Sequence, residues 1–249
     1  DSSPYIYALD NPIKYIDPDG KAPKDIIYLN KDGSINRVVN NNSKYITVVD
    51  SDGKGRLLSS YDISASTFTW NNRNRQIVAN IASYYGKQAG IAGVGASYEE
   101  SGVAYYSSSD KGIWIAPQKD GKVHKVLNNK YNLQNVLVHE NFHKEDDKNQ
   151  TASSFISHST VYMNQMTDDS FSKTSFSFQE GTVQSLINHI YSAIMNREEG
   201  TKDIVNQFNK NNNAGWTIGS NFRSGYGWPV TYNGKTTYLN ARKLDKPTE

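Results

Sequence analysis

The spacing of apolar residues changes several times along the chain. Residues 25–62 hold short apolar runs closed by turn signals. Ile26-Ile27-Tyr28-Leu29 precedes Lys31-Asp32-Gly33, and Tyr45-Ile46-Thr47-Val48-Val49 precedes Asp50-Ser51-Asp52-Gly53. This pattern predicts a β-meander of short strands, each with one face buried at best. From residue 71 the period lengthens. Ile77, Ile81, Tyr84, Tyr85 and Gln88 recur at spacings of three and four, which predicts a helix over 71–90 ended by Gly90, Gly93 and Gly95. Val103-Ala104-Tyr105-Tyr106 and Gly112-Ile113-Trp114-Ile115-Ala116 predict two strands, with a turn at Asp120-Gly121. Helical spacing then dominates, over about 132–146 with Asn132 as N-cap, 152–166, 179–196 and 202–211. Residues 215–249 are rich in Gly and aromatics, and Tyr232-Asn233-Gly234-Lys235 marks a hairpin. Strands followed by a run of helices predict an α+β fold, with a small, largely antiparallel sheet and with helices carrying the chemistry.

Composition narrows the picture. At 249 residues the chain suits one good-sized domain with an appendage, or two small ones. Basic and acidic residues nearly balance, 27 against 25, for a net charge of +2. No Lys/Arg run offers electrostatic capture of nucleic acid or anionic lipid. There is no cysteine, which excludes disulfides, thiolate zinc sites and a cysteine nucleophile. It also leaves the fold indifferent to redox compartment, which suits a protein that crosses between compartments. No stretch approaches the ~20 apolar residues of a membrane span. The opening Asp1-Ser2-Ser3-Pro4 lacks the basic and apolar regions of a signal peptide. It reads like the middle of something longer, so the chain is expected to be a C-terminal piece of a larger protein.

One motif carries specific chemistry. His139-Glu140-Asn141-Phe142-His143 is H-E-x-x-H, which chance places in roughly 0.3% of chains of this composition. Two histidines four apart share one helix face, so both imidazoles can converge on one ion. Zinc takes nitrogen ligands at about 2 Å. Glu140 stands about 100° around the helix, where it can hold a zinc-bound water and act as its base. Leu133, Val136 and Leu137, with Val138 and Phe142 at i,i+4, set the motif on a partly buried amphipathic helix. The pattern points to a zincin-like metallopeptidase. In such enzymes a strand such as Ile113-Trp114-Ile115 borders the cleft and can pair with substrate backbone.

A third protein ligand leaves the fourth position open. The metzincin continuation and the thermolysin-like Asn-Glu signature are both absent. His158 is the best candidate, because a connection of about six to eight residues makes the next helix an antiparallel neighbour. Tyr162, one turn further along, either donates its hydroxyl to the developing oxyanion or simply packs between helices. Glu180 is the rival third ligand, at a helix start where a carboxylate is favoured in any case. Glu145, Asp146 and Asp147 read as a solvated helix end, or as a buttress for a motif histidine. His189, mid-helix, reads as a satisfied core histidine, and His124 as a residue of a turn-flanked strand.

Residues 1–22 differ from the rest. Tyr5-Ile6-Tyr7-Ala8-Leu9 leads to Asp10-Asn11-Pro12, and Ile13-Lys14-Tyr15-Ile16 leads to Asp17-Pro18-Asp19-Gly20. This run resembles the closing motif of the RHS/YD-repeat core of polymorphic toxins. The resemblance implies that 1–22 is the end of a β-cage shell and that 23–249 is the effector. Within it, 23–62 is a β-rich lead-in and 63–249 the catalytic part. With His139, Glu140 and His143, the effector resembles the metallopeptidase toxins of such systems. That implies a Zn2+ cofactor, a protein substrate in a target cell, delivery as part of a larger secreted bacterial protein, and a cognate immunity protein. Two other readings stay open: a non-catalytic binding or shell module with a closed structural metal site, and a nuclease toxin. The balanced charge and the absence of a His-Asn-His cluster stand against the nuclease.

Overall fold

The structure is a computed structural model, and it describes residues 24–51, 57–65, 68–99, 102–219 and 227–247. The RHS-like run of residues 1–22 lies outside the described residues, as does the turn at Asp52-Gly53. The fold is α+β, as the pattern predicts. The described residues fall into two compact units, one drawn from residues up to Tyr105 with Gly112–Gln134, the other from Tyr106–Lys111 and from Asn135 onward.

In the first unit, β1 (Asp25–Leu29), β2 (Ile35–Val39), β3 (Ile46–Ser51) and β4 (Leu57–Tyr61) form a sheet ordered β2-β1-β3-β4. It is not a meander. β1 pairs antiparallel with β2 through the turn at Gly33, but parallel with β3. All five residues of β1 are buried. A central strand covered on both faces favours an unbroken apolar run over alternation, and Ile26-Ile27-Tyr28-Leu29 is one.

Helix α1 (Asn72–Gln88) is capped by Asn71, whose side chain accepts from Asn74 N–H. It buries Ile77, Val78, Ile81, Ala82 and Tyr85. Asn80 reaches the Gly33 carbonyl at 2.9 Å, and Arg73 reaches Asp50 at 2.7 Å. Beyond α1 the glycines do more than end a helix. Val94–Ala96 is a strand, β5, parallel to β7 (Gly112–Ile115), in a three-stranded sheet completed by β6 (Ala104–Ser107). A Cβ on Gly95 would stand 2.5 Å from the Trp114 ring, so the pairing needs glycine there.

Helix α2 (Lys130–Lys148) starts two residues earlier than the sequence suggests. Its cap is Asn129, whose side-chain oxygen accepts from the N–H groups of Tyr131 and Asn132 at 3.0 and 3.3 Å. Asn132 instead donates to the Val126 carbonyl. Lys130, in the first turn, is buried against Asp25 at 2.7 Å. Asp25 also accepts from Asn41 N–H at 3.0 Å and from the Tyr85 hydroxyl at 3.4 Å. One buried carboxylate thus ties β1, α1 and the start of α2 together. Removing one partner of a buried pair strands the other charge, which costs about 3–5 kcal/mol. Lys130→Met is therefore expected to destabilise by that amount in urea denaturation. Lys130→Met combined with Asp25→Leu should recover only part of the loss, because the Asn41 N–H and the Tyr85 hydroxyl then lose their acceptor. Equal stability of the single variant and the parent would contradict the assignment.

The second unit holds most of α2, then α3 (Phe155–Thr167), α4 (Phe176–Met195) and α5 (Thr201–Asn211). A sheet ordered β10-β9-β8 follows, from β8 (Trp216–Ile218), β9 (Trp228–Tyr232) and β10 (Lys235–Leu239). Ser154 opens α3 with a capping box shared with Ser157. The β9–β10 hairpin turns on Asn233 and Gly234, both at positive φ, as a two-residue turn of this kind requires. The core joins α3, α4, α5 and this sheet through Met166, Phe171, Val183, Leu186, Ile187, Ile190, Phe208, Trp216 and Val230. Trp216 Nε1–H is satisfied inside it by the Gln179 side chain at 3.0 Å. No helix among the described residues is long and apolar enough to cross a membrane.

Candidate metal centre

The centre is built on two consecutive helices, from residues of the second unit. Contacts between α2 and α3 run in opposite senses: Asn135 meets Gln165, His139 meets Tyr162, and His143 meets His158. The helices are antiparallel neighbours joined by residues 149–154, the arrangement the short connection predicts.

His139 is buried and its orientation is fixed from behind. Its Nδ1 lies 3.0 Å from Gln165 Oε1. The Gln165 amide cannot turn freely, because its Nε2 donates to the Asn135 carbonyl at 3.3 Å while Asn135 donates back to the Gln165 backbone carbonyl at 3.0 Å. An amide oxygen only accepts, so Nδ1 of His139 carries the ring proton and Nε2 turns its lone pair toward His143. This is the buttress that metal-bound histidines commonly have. It is supplied by Gln165 and Asn135, which the sequence does not mark out. Neither is acidic, and the role of each depends on a partner across the helix interface.

His143 Nε2 lies 3.1 Å from His139 Nε2. Two nitrogens on one tetrahedral zinc stand about 3.3 Å apart, given Zn–N distances near 2.0–2.1 Å. His158, one helix on, is buried, and its Nε2 has no hydrogen-bond partner. One nitrogen from each of His139, His143 and His158 lies within 4.8 Å of the others, a group able to hold a metal ion. The buried His158 Nε2, beside the facing Nε2 atoms of His139 and His143, suits a shared cation.

The electrostatics agree. Burial, helped by the like-charged His143, lowers His139 to about 3. Burial and then His189 lower His143 to about 4. Burial and then the neighbouring histidines lower His158 to about 2. All three imidazoles are therefore neutral at pH 7, the charge state that ligates metal.

Glu140 is buried beside His139. Tyr162 is buried too, its ring centroid 4.6 Å from that of His139 and 5.3 Å from that of His158. Glu180 is exposed and does not belong to the converging group. Asp147 accepts from Tyr106 and from Lys111, each at 2.6 Å, which anchors the end of α2. These bonds hold its carboxyl below the usual range. His124 accepts from Val126 N–H and caps a short 3-10 turn rather than lying in a strand.

A family model described as Metallopeptidase toxin 2 matches residues 27–218. No curated protein and no solved structure matches the chain.

Proposed function

The chain belongs to the metallopeptidase toxin 2 family, and from that premise we propose that it is a zinc-dependent endopeptidase of zincin-like type. The observation that carries the reading is the convergence of His139, His143 and His158 nitrogens within 4.8 Å, one residue from the buried Glu140. Three neutral imidazoles without oxygen donors suit zinc, whereas magnesium and calcium take oxygen ligands. An ion held there supplies Lewis acidity, polarising the scissile carbonyl and easing loss of a proton from water. Glu140 accepts that proton as the water oxygen bonds to the carbonyl carbon. It then returns the proton to the nitrogen as the C–N bond breaks. Tyr162 directs its hydroxyl to the oxygen on which negative charge grows. Gln165 and Asn135 keep His139 turned to the metal.

In this reading residues 1–22 close an RHS shell and 23–249 form the effector, with 23–62 as its β-rich lead-in. The effector is delivered into a target cell, acts there on a protein in competition between bacteria, and is blocked by a cognate immunity protein. The test of the metal centre is zinc content. The purified chain is expected to hold one zinc per molecule, and His158→Ala to lose it while keeping its helical circular dichroism. Zinc retained by His158→Ala but lost by Glu180→Ala would transfer the third-ligand role to Glu180.

A further inference from the structure

A fourth imidazole stands beside the proposed centre, and nothing in the chemistry above uses it. His189 on α4 is 4% exposed. Its ring stacks on that of His158, with centroids 4.5 Å apart and planes 15° from parallel. The other rings around His158 meet it at steeper angles: His143 at 63°, His139 at 48° and Tyr162 at 33°. Among the described residues only His189 lies nearly flat against a face of His158, and so opposes rotation of that ring.

The tautomer of His189 is also fixed. Its Nδ1 lies 2.8 Å from the carbonyl oxygen of Ser185, one turn back on the same helix. A carbonyl only accepts, so the ring proton sits on Nδ1 and Nε2 presents a lone pair. That Nε2 is buried without a well-aligned hydrogen bond, and the Pro247 backbone lies against the ring. His189 does not contribute a nitrogen to the converging group of His139, His143 and His158. It stands behind one of the ligands.

We propose that His189 is a positioning residue for the metal centre, holding the ring plane of His158 by face-to-face stacking so that Nε2 of His158 stays turned to the ion. The proposal rests on the metal reading above.

Two variants separate stacking from ligation. His189→Phe keeps a flat ring against His158 and removes both nitrogens. His189→Ala removes the ring. Zinc affinity is read by competition with a chromophoric chelator, and coordination by the visible spectrum of the cobalt-saturated protein. His189→Ala is expected to bind zinc about 10–100-fold more weakly, the usual effect of losing a group that orients a ligand. His189→Phe should bind nearly as well as the parent, and the cobalt spectrum should keep its shape in both. Unchanged affinity in His189→Ala overturns the proposal. So does a His189→Phe protein as weak as His189→Ala, and a changed cobalt spectrum there would mark His189 as a direct ligand. A parent chain that takes up no zinc or cobalt sinks the metal reading itself, and this inference with it.

Discussion

Glu140→Gln is expected to keep its zinc and lose its peptidase activity. Glutamine has nearly the shape of glutamate and still accepts hydrogen bonds, so His139, His143 and His158 should bind the ion as before. It cannot take a proton from water. A positioned general base contributes about 10²–10⁴-fold to rate, equivalent to about 3–5 kcal/mol of barrier at 1.36 kcal/mol per tenfold. kcat on a peptide or casein substrate should fall by that factor, zinc content should stay at one per chain, and toxicity on expression in a sensitive cell should disappear. A zinc-loaded Glu140→Gln protein with full activity would remove Glu140 from the mechanism. Loss of zinc along with activity would show instead that the substitution disturbs the ligands, since the carboxylate is buried next to one of them.

The second large effect is on stability in acid. Unfolded, each histidine titrates near 6.5, while in the folded chain His139, His143 and His158 lie at about 3, 4 and 2. Between pH 6.5 and about 4 the unfolded chain therefore binds protons that the folded chain refuses, and falling pH favours unfolding. Each such group contributes about 1.4 kcal/mol per pH unit, so the three together approach about 4 kcal/mol per unit well below pH 6.5. A domain stable by about 5–15 kcal/mol loses much of that margin within two units. The metal-free protein should show a level melting temperature above pH 7 and a steep fall between pH 6.5 and 4. Zinc should shift the fall to lower pH, because the ion binds only the folded, deprotonated set. A melting temperature that stays level down to pH 5 without metal would contradict burial of these rings in neutral form.

What the sequence made legible was local. Ile77, Ile81 and Tyr85 mark α1 because an amphipathic helix repeats within itself. His139 and His143 sit on one face because four residues make about one turn. His158 was within reach because residues 149–154 leave α3 little choice but to fold back along α2. What stayed hidden depends on partners distant in the chain. The parallel pairing of β1 with β3 has no turn signal, since the strands do not meet through a hairpin. Val94–Ala96 reads as a glycine-rich break until Trp114 is seen covering Gly95. Gln165 looks like any helix glutamine until Asn135 and His139 are placed against it. His189 looks like a satisfied core histidine, and its Nδ1 has its carbonyl, but the stacking of its ring on His158 shows only in three dimensions.

The proposed ligands come from α2 and α3, which follow each other in the chain across the short link of residues 149–154. Low contact order of this kind favours fast folding, because little loop entropy is lost before the helices meet. Rebuilding this centre requires one helical hairpin to close, with no disulfide to form and no distant strand to find. The three histidines would then be among the first parts of the molecule to come together as the chain refolds.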